Sequence, residues 1–369
     1  MTPVELSRTV LRAVRRAVDE GELRVAVPER VVVTAPGPGG CGDYATNVAL
    51  QLARPAGQPP RDVAGILQAH LAGADGVADV VITGPGFLNI SLGDTATATL
   101  VEEILRRGTR YGHAHAPSAD LVPLVCPREV RAVVVMDALA RILRSQGAAV
   151  HTRCEAPLAP EWVDILGLRV DAQADQADQA DQPKQPNQPK QPNKPKPLNP
   201  KPPLPHYAVR PAPAPVDPLP LGRDAARWAL LHPAAHDRPR ITGEHLVQRE
   251  SNPLFRVRYA HARTRALSRN AADLGFAAEA GDVRHEVTAL LADHPRVLAQ
   301  AAAHRAPDRL ARHLVTVADA VLPLLPAVLP RGAEKPSAAH RARLALAEAA
   351  GTVLAGGLSL LGIDAPDHL

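Results

Sequence analysis

Between Arg256 and Arg269 the chain places arginines at positions 256, 258, 263, 265 and 269 within fourteen residues, with Tyr259 among them and no acid. Tyr259 and Arg263 are four apart, so on a helix they share one face. A ring and a guanidinium presented together suit unstacked nucleic-acid bases: the ring stacks and the guanidinium pairs with phosphate or base edges. At about 100° per residue the five arginines spread over more than one face, so part of the set is solvated surface. A second pair, Phe87 and Asn89, follows the turn Gly84-Pro85-Gly86. There an aromatic face can stack on an extruded base while an amide hydrogen-bonds its edge. The plain alternative for Phe87 is a core residue of a strand.

Other chemistries find little material. Cys41, Cys126 and Cys154 stand singly, with neither a disulfide framework nor a paired zinc-ligand spacing. His236 and His245 show no metal spacing, and no Ser/His/Asp arrangement can be named. Thr34 to Gly42 (TAPGPGGCG) is glycine-rich but lacks the Lys-Ser/Thr ending of a phosphate-binding loop. Lysine occurs at six positions, and five of them (Lys184, Lys190, Lys194, Lys196, Lys201) lie in one low-complexity stretch, leaving Lys335 alone in a segment expected to fold. No metal and no cofactor is expected. The formal net charge of +4 and pI near 9.1 permit a polyanionic partner without demanding one. No run of about 18 uncharged apolar residues suggests a membrane span, no signal peptide is evident at the N-terminus, and a reducing cytoplasm is the expected compartment.

The elements that must position these residues fall into two blocks. In the first, Leu6, Val10, Val14 and Val18 recur every four residues and predict a helix. Arg30 to Thr34 (RVVVT) reads as a strand, Tyr44 to Ala53 as a helix, and Pro60 opens another with Val63, Ile66, Leu67 and Leu71 inward. Val77 to Ile82 and Phe87 to Leu92 read as strands, and Ala98 to Arg107 as a closing helix capped at Gly108. The order α-β-α-α-β-β-α makes an α+β module. From about Leu221 the second block is helical: Leu310, Leu314, Val317, Val321 and Leu324 step by four and three, with Pro323 and Pro326 expected to kink or end that helix. Leu344, Ala347, Gly351, Leu354, Leu358 and Leu361 repeat the pattern, which calls for a bundle. Between the blocks, Asp171 to Pro220 repeats ADQ, QPK and QPN units and then turns proline-rich. It offers almost nothing apolar to bury before Tyr207, so it is expected to be a disordered tether. About 50 flexible residues span roughly 35 to 45 Å, enough to join two weakly binding ends.

GDYATNVALQLA (Gly42 to Ala53) followed by GPGFLNI (Gly84 to Ile90) resembles the N-terminal additional domain of arginyl-tRNA synthetases. LGRDAARWALL (Leu221 to Leu231), ESNPLFRVRYAHAR (Glu250 to Arg263) and RLALAEAAGTVLAGGLSLLGIDAP (Arg343 to Pro366) are similar to the helical anticodon-binding domain of the same enzymes. The resemblance implies that Phe87 and Asn89 contact the D-loop corner of tRNA and that Tyr259 and Arg263 meet the anticodon loop, with Arg256 and Arg258 beside them. It has departures: Arg256 stands where the family usually has an aromatic, Arg258 where it has a Gln, and the chain ends in Leu369 rather than Met. These bear on base specificity more than on phosphate affinity.

The family's first catalytic signature has the form P-N-x-x-K-x-x-H-x-G-H-L-R-S, followed by G-D-A-L-A-R. Here Cys126-Pro127-Arg128-Glu129-Val130-Arg131 leads into VVVMDALARIL (Val133 to Leu143). Its tail survives as Arg131 and Asp137 to Arg141, while the histidine pair that would stabilise the phosphates is missing. Nothing resembles the second, KMSKS-like signature. Gly112-His113-Ala114-His115 imitates the pair but sits directly after the closing helix and reads as a loop. The resemblance therefore implies a truncated, non-catalytic paralogue: an additional domain at 1–116, a remnant of the nucleotide-binding domain at 120–170 with one or two strands and a helix ending near Ser145, a linker at 171–220, and a helical domain at 221–369. The expected function is tRNA binding, possible arginine specificity included, without charging. The alternatives are a protein-interaction partner of a synthetase or translation factor, and a residual arginine-tRNA ligase that binds ATP.

Overall fold

The structure, a computed structural model, describes residues 1–93, 96–118, 121–173 and 206–369. Helix α1 (Pro3–Asp19) opens on a reciprocal cap, with the Thr2 hydroxyl accepting the Glu5 N–H and the Glu5 carboxylate accepting the Thr2 N–H. Leu6, Val10 and Val14 turn inward as their spacing predicts, with Ala13 and Ala17 beside them. Next come β1 (Tyr44–Thr46), α2 (Val48–Ala56), α3 (Pro60–Leu71), β2 (Val77–Thr83), β3 (Phe87–Leu92) and α4 (Ala96–Arg107). The three strands form an antiparallel sheet in the order β1-β3-β2.

The α-β-α-α-β-β-α order holds, but its first strand is not Arg30 to Thr34. That segment pairs only through Thr34 with Ala45. The carbonyls of Val31 and Val32 instead accept the hydroxyls of Ser7 and Thr46, so side chains do the work of a ladder while Val31 and Val33 still bury. The strand is Tyr44–Thr46, paired with Leu88 to Ile90, and the helix expected from Tyr44 begins at Val48.

The middle of the chain is a small parallel sheet. Strands β4 (Leu121–Cys126) and β5 (Ala149–Cys154) flank α5 (Val130–Ser145), and α6 (Pro160–Asp164) follows. Two-residue strands β6 (Ala172–Gln173) and β7 (Tyr207–Ala208) complete the order β6-β5-β4-β7. Residues 174–205 of the expected tether lie outside the described residues. Its two flanks do not fit a free link between separate blocks, because they form opposite edges of one sheet. Tyr207 and Ala208 pair with Leu124 and Val125, Val209 is buried, and Arg305 lies over the Tyr207 ring at 4.2 Å. Cys126 and Cys154, far apart in sequence, are partners across β4 and β5; both are buried, and burial raises the Cys126 thiol pKa, with Cys154 adding to the shift.

The second block contains α7 (Gly222–Leu231), α8 (Pro253–Asp273), α9 (Glu286–Ala303), α10 (Pro307–Val321) and α11 (Ala338–Leu361). Helix α10 stops before Pro323 as expected. Helix α11 is long and apolar enough to cross a membrane by composition, yet 78% of its most apolar window is buried against the bundle, so packing accounts for its apolarity.

One hydrophobic core runs through α4, Tyr111, the parallel sheet, α5 and the whole bundle, while a second sits under α1 and the antiparallel sheet. The closing helix of the N-terminal module thus belongs to the bundle's core. At this joint the rings of Tyr111, His294 and His313 stack, with centroids 6.0 and 5.3 Å apart. His113 and His115 lie in a loop after α4. Burial lowers the pKa values of His113 and His294, and takes His313 down to about 4.

Candidate nucleic-acid interface

Asn252 starts α8 by accepting the N–H groups of Leu254 and Phe255, with Pro253 at the first helical position. Leu254, Val257, Ala260, Ala262, Thr264 and Leu267 then bury one side of the helix, which turns Tyr259 and Arg263 outward. Tyr259 is 38% exposed, and its ring stacks on Phe255 with centroids 5.5 Å apart and planes 21° off parallel. Arg263, one turn on, is exposed and has no ion-pair partner among the described residues. An aromatic ledge beside an uncommitted guanidinium can stack an unpaired base and take its phosphate. Phe255 is the residue that reading Tyr259 and Arg263 alone misses; its signal was the same four-residue step taken backwards from Tyr259.

The flanking arginines are differently placed. Arg256 pairs with Asp319 of α10 at 3.1 Å, and Arg258 with Asp224 of α7 at 3.4 Å. Both therefore spend charge on holding neighbouring helices. Arg258 also borders a cavity of about 310 Å³ with Phe255, Leu246, Val247, Asp364 and Leu369. Outward on the same helix, Arg265 and Arg269 reach the C-terminal residues Asp367 and His368.

In the N-terminal module, Phe87 begins β3 and is 40% exposed. Gly86 gives it that place: its φ of 142° suits glycine, and a Cβ there would come within 2.9 Å of the Pro60 carbonyl oxygen. Asn89 differs from the expectation of a base contact. It is 2% exposed, donating to the Thr83 hydroxyl at 2.6 Å and accepting the Cys41 N–H at 3.3 Å. Strand alternation explains the outcome, since Phe87 and Asn89 share one face and the loop through Cys41 covers only the second. Asn89 fixes the glycine-rich loop, and Phe87 alone is presented.

The surviving tail of the catalytic signature lies inside the protein. Arg131 is fully buried, and its guanidinium donates to the carbonyls of Leu230, Ala212, Asp237, Pro233 and Ala234. Arg227, equally buried, donates to Asp137 at 2.5 Å and to the carbonyls of Leu361 and Leu166. Asp137 also holds Arg141 at 3.1 Å. Gly362 caps α11 with φ of 72°, leaving room for Arg227, whose guanidinium lies 2.3 Å from where a Cβ would stand. Burial lowers both arginine pKa values, opposed by Glu129 and Asp137 respectively. The chemistry here is that of struts between α5, α7 and α11. Among the described residues Lys335 is the one lysine, in the exposed loop before α11. In the one grouping with metal-ligand spacing among them, Glu20, Glu22 and His70, the His70 ring is already hydrogen-bonded to Glu22 at 2.7 Å.

Comparison with known proteins agrees with this layout. Residues 5–92 match the arginyl tRNA synthetase N terminal domain, and residues 257–369 match the DALR anticodon binding domain, together more than half of the chain. The arginine–tRNA ligase of Frankia alni is 42% identical over 160 residues, 41% of this chain and 29% of the relative. That of Renibacterium salmoninarum is 42% identical over 164 residues, 41% of this chain and 30% of the relative. The chain thus matches under a third of the length of these relatives. Among solved structures, arginyl-tRNA synthetase from Thermus thermophilus superposes with a TM-score of 0.66 at 15% identity, and that from Plasmodium falciparum with 0.67 at 8%, each covering 100% of both chains. Those likenesses show a shared fold. With the two terminal domains matched on either side of a reduced middle, the chain belongs to the arginyl-tRNA synthetase family.

Proposed function

We propose that this protein binds tRNA through its DALR domain and N-terminal module and does not charge it. The observation that carries the reading is the exposed Tyr259 ring, stacked on the half-buried Phe255, with Arg263 beside it on α8. Such a ledge suits the unpaired bases of an anticodon loop, and every base has a face that can stack on it. Phe87 supplies a second aromatic contact, suited to a base extruded at the D-loop corner. Because the module and the bundle share the core at α4 and Tyr111, the two contacts are offered by one packed body rather than across a flexible link.

Three features support the absence of charging. No histidine pair stands between Cys126 and Arg131, the surviving Arg131 and Asp137 are saturated by internal partners, and no lysine lies near the parallel sheet among the described residues. Adenylate formation needs preorganised positive charge on the ATP phosphates, and these positions hold none that is free. Chemical footprinting of bound tRNA tests the reading: protection should appear in the anticodon loop and the D-loop corner. Protection confined elsewhere, or arginine-dependent exchange of pyrophosphate into ATP, would refute it.

A further inference from the structure

Helix α1 carries a second basic feature, on the side away from its core. Arg8, Arg12 and Arg15 stand at steps of four and three, which at 100° per residue keeps them within an arc of about 60°. All three line a groove of about 760 Å³, opposite Gly76, Ala96 and Thr99. The three are exposed, and none has an ion-pair partner among the described residues. Two other surface arginines are closed by acids, Arg106 by Glu103 and Arg296 by Asp293, each at 2.5 Å. Arg12 is steadied by the Thr9 hydroxyl at 3.0 Å. The acids in the groove are Glu5, whose carboxylate accepts the Thr2 N–H in the cap of α1, and Asp75.

Seven steps of 1.5 Å make the ridge about 10 Å long, so its three guanidiniums stand in one row that can follow a stretch of RNA backbone. The groove wall at Gly76 lies at the start of β2, and Phe87 lies beyond its far end. Strand rise of about 3.3 Å per residue separates the two by roughly 20 Å. Arg8 also borders a neighbouring groove with Arg296 and Gln300 of α9, so this end of the ridge lies next to the bundle.

We infer that Arg8, Arg12 and Arg15 form a phosphate track that holds the RNA backbone at a place distinct from both aromatic contacts, an inference that rests on the tRNA-binding reading. Arginines here would position the RNA without reading its sequence. The test is the salt dependence of tRNA binding, by mobility shift, for the wild-type chain, the triple variant Arg8→Gln/Arg12→Gln/Arg15→Gln, and the control Arg106→Gln, with melting curves confirming the fold. The triple variant should lower the magnitude of the slope of log K against log salt by about 2, from roughly 0.7 to 0.9 per lost phosphate contact. Its affinity should fall about 10- to 100-fold at low salt, equally for tRNAs of different anticodon, while Arg106→Gln changes neither quantity. An unchanged slope in the triple variant, with wild-type binding still sensitive to Tyr259→Ala, would overturn the phosphate track alone. Absence of tRNA binding by the wild type would remove the reading and the track together.

Discussion

The arginines of the α5–α7 contact and those of the α8 surface have the same side chain and opposite fates. Arg131 and Arg227 are sealed in, with every direction of the guanidinium answered by a carbonyl or by Asp137. Arg263, like Arg8 and Arg15 on α1, lies open with no counter-ion among the described residues. The contrast separates residues the fold requires from residues available to a ligand. It also accounts for the persistence of a catalytic signature's tail without its histidines: Arg131 and Asp137 fasten the bundle to the sheet.

The sharpest way to break this contrast is to remove a strut. Arg131→Met should cost roughly 3–5 kcal/mol, because five carbonyls, that of Leu230 buried and the rest part-buried, lose a charged donor at once. Arg227→Met should cost a similar amount by leaving Asp137 short of its buried partner. Urea unfolding reads both. A loss below about 1 kcal/mol in either variant would mean that the interior arginines are not struts.

How much of this was legible in the sequence depends on the range of the interactions. Periodicity located α1, α3, the β2–β3 hairpin and the bundle helices, because burial of one helix face or strand face is a local pattern. The edge strands at Ala172–Gln173 and Tyr207–Ala208 were not visible, since two-residue strands gain their pairing from β5 and β4 far away in sequence. Asn89 was read as a base contact although its fate was set by the loop carrying Cys41, another long-range partner. Likewise Arg256 and Arg258 looked equivalent to Arg263 until Asp319 and Asp224 were placed beside them. That Tyr259 and Arg263 share an outward face was legible because a step of four residues decides which side chains lie together.

A pH measurement probes the place where Tyr111 packs on the bundle. His313 is buried and held neutral, its pKa taken from 6.5 to about 4 chiefly by desolvation, with Asp293 opposing and Arg296 reinforcing. The unfolded chain binds the proton first as pH falls, so stability is complete above about pH 6.5 and declines toward pH 4. The loss from this residue is on the order of 3 kcal/mol over that window. His294, stacked against it, works in the same direction. His313→Leu should flatten the acid limb of the stability profile, and an unaltered limb would remove His313 as its source.

Smaller effects are expected at the open surface. Tyr259→Ala and Arg263→Ala should each weaken tRNA binding by about 1–3 kcal/mol, roughly 5- to 150-fold, while changing stability by less than about 0.5 kcal/mol. Arg258→Gln, already engaged with Asp224, should alter affinity less than Arg263→Ala does and stability more. The reverse order in the two assays would erase the distinction between sealed and open arginines.

The central claim is tested most directly by competition binding at physiological salt, with labelled tRNA displaced by unlabelled tRNA or by a random RNA of equal length. The proposed reading predicts tRNA displacing at least tenfold more effectively, and that preference collapsing in Tyr259→Ala/Arg263→Ala. Equal displacement by the random RNA would contradict it.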